Sequence, residues 1–211
     1  MNVAEKPLTK DTKAVLLQVS EELFANHGFE GTSTRMITEA AGINVAMITY
    51  YFGSKKELYL AIFKKRLLYS IIEIERISQL ELGPAEKMEL YLRGYIHRIQ
   101  HNQGFYRMES RQLTMREQPS IVTLLNESRN QAFLLLRNII TKGIVQDVFK
   151  HVDIEVFVLN ILYLLPTLFT KPDTLFGQLG FAVGADAHHN SLENRIVSYF
   201  LSSLIRSTIT S

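Results

Sequence analysis

Apolar residues return along this chain every three to four positions, the spacing of helices that each bury one face. Over residues 9–26 the stripe is Leu16, Ser20, Leu23 and Phe24. Asn26-His27-Gly28 closes that segment with a glycine able to adopt the left-handed cap conformation. A second, short helix starts at Ser33, a good N-cap, with Ile37 and Ala41 on its inner face. Gly42 ends it and permits a sharp reversal. Asn44 caps a third short helix over 45–52, with Ile48 and Phe52 as its buried pair. Ser54 and Glu57 make a capping box for a fourth, long helix, which runs from Lys55 through Leu58, Ile62, Leu68 and Ile72. After the break at Gly83-Pro84, the pattern predicts helices at about 84–102, 104–116, 119–146, 153–170 and 191–209. The stretch 171–190 reads as a loop, since it holds Pro172, three glycines and His188-His189-Asn190. No alternating run of β-branched residues argues for a sheet, so the expected class is all-α.

Composition agrees with a folded helical protein. The chain has 211 residues, 46% of them hydrophobic and 21% charged, with only five prolines. The absence of cysteine excludes disulfides, thiolate nucleophiles and cysteine-ligated metals, and fits a reducing cytoplasm. The first eleven residues are too polar for a signal peptide. The near-apolar stretch 156–169 is shorter than the roughly 20 residues of a membrane span, and Asn160 and Pro166 interrupt it. No membrane association is therefore expected. Net charge is only +2, but the excess falls within residues 1–66, where nine Lys/Arg face seven Asp/Glu. That is weak support for a nucleic-acid face near the N-terminus.

Residues 33–52 have the parts of a helix-turn-helix: two short amphipathic helices joined by a tight turn at Gly42. The second helix is the one that would enter a major groove. Here the sequence resembles the tetracycline-repressor-like transcription regulators. The resemblance rests on Gly28-Phe29, Thr32-Ser33, Ile37, Ala41-Gly42-Ile43-Asn44, Tyr51-Phe52 and Ser54-Lys55, and it covers about residues 12–65. Thr34, Thr38 and Thr49 depart from the family's usual valine, alanine and tyrosine.

The resemblance implies an N-terminal three-helix DNA-binding domain, residues 1–54, followed by a larger helical regulatory domain, residues 55–211. Ser33 and Thr34 offer hydroxyls and free N–H groups to a phosphate, and Arg35 can reach a phosphate or a guanine. Asn44 caps or reads; Val45, Ala46 and Thr49 suit thymine methyls; Tyr50 and Tyr51 can donate to phosphates. Lys55 matches the lysine that clamps backbone phosphate in relatives. The implied partners are double-stranded DNA with a palindromic operator, a second copy of the chain, and a small-molecule effector.

The larger domain carries no enzymatic motif, so no catalytic residue and no cofactor are expected. Residues 88–116 mix aromatics, methionine and arginine, the lining that a small-molecule cavity needs. Tyr91, Tyr95, Met108, Arg111 and Phe133 are the expected ligand contacts. The last two helices are the expected dimer seam, through Phe157, Ile161, Leu164, Ile196, Phe200 and Leu204. His97 and His101 have the i, i+4 spacing of paired metal ligands. No carboxylate lies between them and no third ligand is near in sequence, so no metal is expected. The competing readings are a helical enzyme, which would need turnover at a tuned histidine, and a protein-binding adaptor that dimerises without binding DNA.

Overall fold

The computed structural model describes residues 10–170 and 186–206, with side chains over 12–170 and 192–206. The chain forms helices α1 (Lys10–Gly31), α2 (Thr34–Ala41), α3 (Ala46–Phe52), α4 (Lys55–Gln79), α5 (Pro84–His101), α6 (Gln103–Met115) and α7 (Pro119–Val145). There follow α8 (Ile154–Leu159), a π-helical stretch (Asn160–Leu164), α9 (Leu165–Thr170) and α10 (Asp186–Leu204). The all-α expectation holds among the described residues. The loop expected over 171–190 lies outside them as far as residue 185. From Asp186 the backbone is helical, so the last helix begins five residues earlier than its expected start at 191.

The chain divides into two compact units. In the first, described from residue 10, the chain through Leu67 is joined by Arg107–Leu124. The second comprises Leu68–Tyr106 and the chain from Leu125 onward. The sequence pattern predicts a boundary at residue 54, with everything beyond it in the regulatory domain. In the structure the first turns of α4 supply Leu58, Tyr59, Ile62 and Phe63 to the first unit's core, all nearly or fully inaccessible to solvent.

In the first unit α1 is kinked at Gly28, whose φ of 75° and ψ of 174° no L-residue adopts comfortably. A side chain there would also collide with the Arg111 guanidinium. Phe24, Phe29, Tyr59 and Phe63 form a continuous aromatic cluster, with ring centroids 4.7–5.9 Å apart. Buried Thr32 donates its hydroxyl to Gly28 O at 2.8 Å, fixing the turn into α2. Arg66 on α4 makes a bidentate pair with Glu21 on α1.

In the second unit the core is built from Met88, Tyr91, Leu92, Ile96 and Ile99 of α5, Leu136, Ile139 and Ile140 of α7, and Val158, Ile161, Phe200 and Leu204 nearer the C-terminus. Residues 148–150 run antiparallel to 204–206. Lys150 N–H donates to Leu204 O at 2.8 Å, and Arg206 N–H donates to Val148 O at 3.1 Å. Phe149 is buried by this pairing and lies flat against Gly143 of α7. Pro166 accounts for the π-helical stretch. It has no N–H for the carbonyl of Leu162 and its ring crowds that carbonyl, so the helix widens just before it.

Candidate nucleic-acid interface

The local chemistry of α2 and α3 builds a helix-turn-helix, the head of the first unit. Ser33 takes an extended conformation and accepts from Met36 N–H at 3.1 Å, which caps α2. Gly42 is left-handed, with φ 64° and ψ 34°, and returns its N–H to the α2 carbonyls. Ile43 N–H reaches Thr38 O at 3.0 Å, closing the turn. Asn44 Oδ1 accepts from Ala46 N–H at 2.9 Å, so this side chain organises the start of α3. Gly53, at φ 81°, ends α3, and Ser54 accepts from Glu57 N–H to start α4. The inner residues are Ile37 and Ile48, both buried as expected; Phe52 is only half-buried, with the Lys13 ammonium 5.5 Å from its ring centre.

The outer residues form one polar and apolar set. Ser33, Arg35, Asn44, Val45, Ala46, Thr49 and Tyr50 are exposed, while Thr34 and Tyr51 are half-buried. Tyr50 is 68% exposed and Val45 54%, large values for apolar bodies on a folded surface. Tyr50 and Tyr51 brace each other edge to face at 5.0 Å. Arg35 is held by Glu39 at 2.7 Å, one turn along α2. That carboxylate raises the arginine's pKa, first through the hydrogen bond, so the cation is permanent.

Lys55 has a different place from the one expected. Its ammonium donates to Phe29 O at 2.9 Å and to Thr32 O at 3.0 Å, and lies 4.2 Å from the centre of the Phe29 ring. Two of its three donors thus hold the turn that follows α1. Phe29 O also accepts from Thr32 N–H at 3.4 Å, so the ammonium adds a charged donor to a turn that the backbone alone closes weakly.

The head contains residues that the sequence gave no reason to put there. Gln112 of α6 is fully buried in it. Its Nε2 donates to Tyr59 Oη at 3.3 Å and to Glu117 Oε2 at 3.1 Å, and its Oε1 accepts from Gln118 N–H at 3.0 Å. Burial pushes the Tyr59 hydroxyl up to about 12, with Gln112 and Arg111 pulling the other way. No local pattern marks 107–124 as part of the head, because these contacts join positions some fifty residues apart.

The expected ligand residues do not share one setting. Met108 and Arg111 fall in the first unit, where Arg111 lies beside Gly28 and near Glu117 at 3.8 Å. Tyr91, Tyr95 and Phe133 fall in the second. There Tyr91 and Tyr95 stack at 5.6 Å and are buried, whereas Phe133 is half-buried. The second unit also has an open, polar cleft of about 200 Å³ beside Lys87, Asn138 and Lys142, touching none of these five residues. The expected seam residues also differ in setting. Phe157, Ile161, Phe200 and Leu204 are buried within one chain, and Phe157 meets Phe200 edge to face at 5.6 Å. Ile196 is half-buried, and of the six only Leu164 is exposed. The exposed apolar side chains nearby are Val156, Leu159, Tyr163, Leu164 and Tyr199. A helix apolar all round cannot declare from sequence which face looks inward.

An all-helical protein whose N-terminal unit presents a helix-turn-helix is the class that this fold and this surface define. Residues 16–62 match the model of the bacterial regulatory proteins of the tetR family. That segment carries the sequence pattern of the family, and solved structures of TetR-family regulators share the fold over nearly the whole length. It is 28% identical to the HTH-type transcriptional regulator RutR of Escherichia coli over 81 residues, 38% of each chain. It is 46% identical to the dual regulator CecR of Shigella flexneri over 52 residues, 25% of this chain and 23% of that one. These matches span well under half the length of those relatives. The fold is similar to that of the ketosteroid transcriptional regulator KstR2 of Mycobacterium tuberculosis, with a TM-score of 0.74 at 16% identity, covering 98% of this chain and 100% of that one. Among the described residues, no helix is long and apolar enough to cross a membrane.

Proposed function

We propose that this protein is a homodimeric, ligand-responsive transcriptional repressor that works on DNA in the cytoplasm. The observation that carries the reading is the capped α2–turn–α3 unit, whose buried pair is apolar and whose outer face offers Ser33, Arg35, Thr49 and Tyr50. Ser33, Thr34 and Arg35 bind phosphates at the start of α2. Val45, Ala46 and Thr49 meet base edges and thymine methyls, with Asn44 and Tyr50 at the border and Tyr51 bracing Tyr50. Lys55 acts by fixing the turn before α2, so that Ser33 is held in register.

The regulatory half of the reading rests on α5. Tyr91, Tyr95 and Arg98 stand at i, i+4 and i+7, on one face of the helix. Arg98 lies over the Tyr95 ring at 5.6 Å, and its Nε is buried without a hydrogen-bond partner. An unmatched guanidinium N–H among aromatic rings suits a carboxylate or carbonyl oxygen on an otherwise apolar effector. Arg98 is thus better placed than Arg111 for the polar contact to an effector. Effector and operator would each weaken the other by the same factor, as linkage requires. Dimerisation uses the exposed apolar side chains Val156, Leu159, Tyr163, Leu164 and Tyr199.

Selection of bound fragments from a random DNA pool tests the reading. It should return a palindrome, and Thr49→Ala should alter base preference at one symmetric pair of positions by about 1–3 kcal/mol. A pool that shows no enrichment would sink the repressor reading. A uniform loss across single-base variants would assign Thr49 to backbone positioning.

A further inference from the structure

We infer that Lys13, in the first turn of α1, binds a DNA backbone phosphate at the C-terminal end of α3; the inference rests on the DNA-binding reading above. The Lys13 ammonium lies 5.5 Å from the centre of the Phe52 ring. Phe52 is the last residue of α3. Its ring is 6.4 Å from that of Tyr51, and Tyr51 is 5.0 Å from Tyr50. A row of three rings therefore runs from Lys13 to Tyr50, the exposed tyrosine of α3. A side chain of α1 is thus held at one end of the helix proposed to enter the groove. The two positions are far apart in sequence, and no local pattern joins them.

The contact with Phe52 positions the cation without satisfying it. A ring face attracts an ammonium out to about 6 Å from its centre, so at 5.5 Å the pull is weak and directional. The ring offers no lone pair, and the three N–H groups stay open to oxygen acceptors. Lys13 is exposed, and among the described residues no carboxylate pairs with it. Arg66, in the same unit, is by contrast closed by Glu21.

The surroundings of Phe52 say why a cation is needed there. With seven residues, α3 is about 10 Å long, close to the roughly 12 Å width of a major groove. Laid across the groove, it brings both ends within reach of a sugar–phosphate backbone. At the far end the Gly53 N–H is already used by Thr49 O, and Phe52 is apolar. Lys55 is turned inward onto the carbonyls of Phe29 and Thr32. The cation that the fold sets beside this end is Lys13. Lys56 is exposed as well, but among the described residues no contact holds it toward α3.

The test uses the full chain with two duplexes, one of arbitrary sequence and one selected from a random pool. Lys13→Gln should weaken binding to both alike. It should also flatten the slope of log affinity against log salt by about 0.9 for each subunit bound. Lys13→Arg should restore affinity and slope, because a guanidinium also bonds phosphate. Lys56→Gln should keep the parent slope. Lys13 is exposed, so helical content and melting temperature should match the parent in both Lys13 variants. A parental slope in Lys13→Gln overturns the inference, and so does a loss confined to one duplex or one that Lys13→Arg fails to restore. Equal flattening in Lys56→Gln overturns it too, since the effect is then that of any exposed cation. If the parent chain binds neither duplex, the DNA-binding reading falls and the inference falls with it.

Discussion

At the scale of single residues, the head depends on groups that neutralise helix ends. Lys55 shows this most directly, since its ammonium bonds two carbonyls of the turn after α1 and covers the Phe29 ring. Lys55→Ala should cost about 1.5–3 kcal/mol of stability, the range for hydrogen bonds to a charged group. Urea unfolding would measure the loss. The slope of log DNA affinity against log salt should stay unchanged, whereas removing a phosphate contact flattens it by about 0.9. A flattened slope would return Lys55 to the phosphates. The caps Ser33, Asn44 and Ser54 and the turn glycine Gly42 were legible in the sequence because their work is local, done within three residues. The partners of Lys55 were not legible, since they lie 23 and 26 positions away.

Helices α6 and α7 show what periodicity does and does not reveal. Their bounds follow the sequence pattern to within a residue or so, but the pattern carries no sign that 107–124 belongs with the head. Gln112 makes the point: a glutamine reads as surface, yet it is fully buried because Tyr59, Glu117 and Gln118 satisfy its amide. The end of α7 offers a sharper test. A Cβ at Gly143 would overlap the Phe149 ring, whereas one at Gly94 would meet Arg98 Nη1 at an ordinary 3.5 Å. Gly143→Ala should therefore destabilise the fold by roughly 1–3 kcal/mol through overpacking. Gly94→Ala, in the middle of α5, should stabilise by about 0.5–1 kcal/mol. Thermal unfolding of the two variants side by side checks both, and equal melting temperatures would show that Phe149 moves aside.

For the whole molecule, the question is which apolar side chains hold the chain together and which are left for a second copy. Phe157 is 9% exposed and packs on Phe200, so Phe157→Asp puts a charge into the core and should yield unfolded chain. Tyr199 is 68% exposed and Leu159 49%. The pair Leu159→Asp and Tyr199→Asp should keep full helical content while sedimentation shows a monomer. That monomer should lose operator affinity steeply, because each half-site then binds alone. A stable dimer in the double variant would move the seam elsewhere.

The widened turn at 160–164 bears on how such a surface changes over generations. A π-helical stretch holds one residue more than the regular helix that would replace it. Deleting a single codon there would let the backbone close into an unbroken helix while the residues beyond it keep the facing they have now. The same deletion in a regular helix would turn everything beyond it by about 100°. The widened turn is therefore a place where the chain can give back or take up one residue and leave both its self-recognition surface and its reading head as they are.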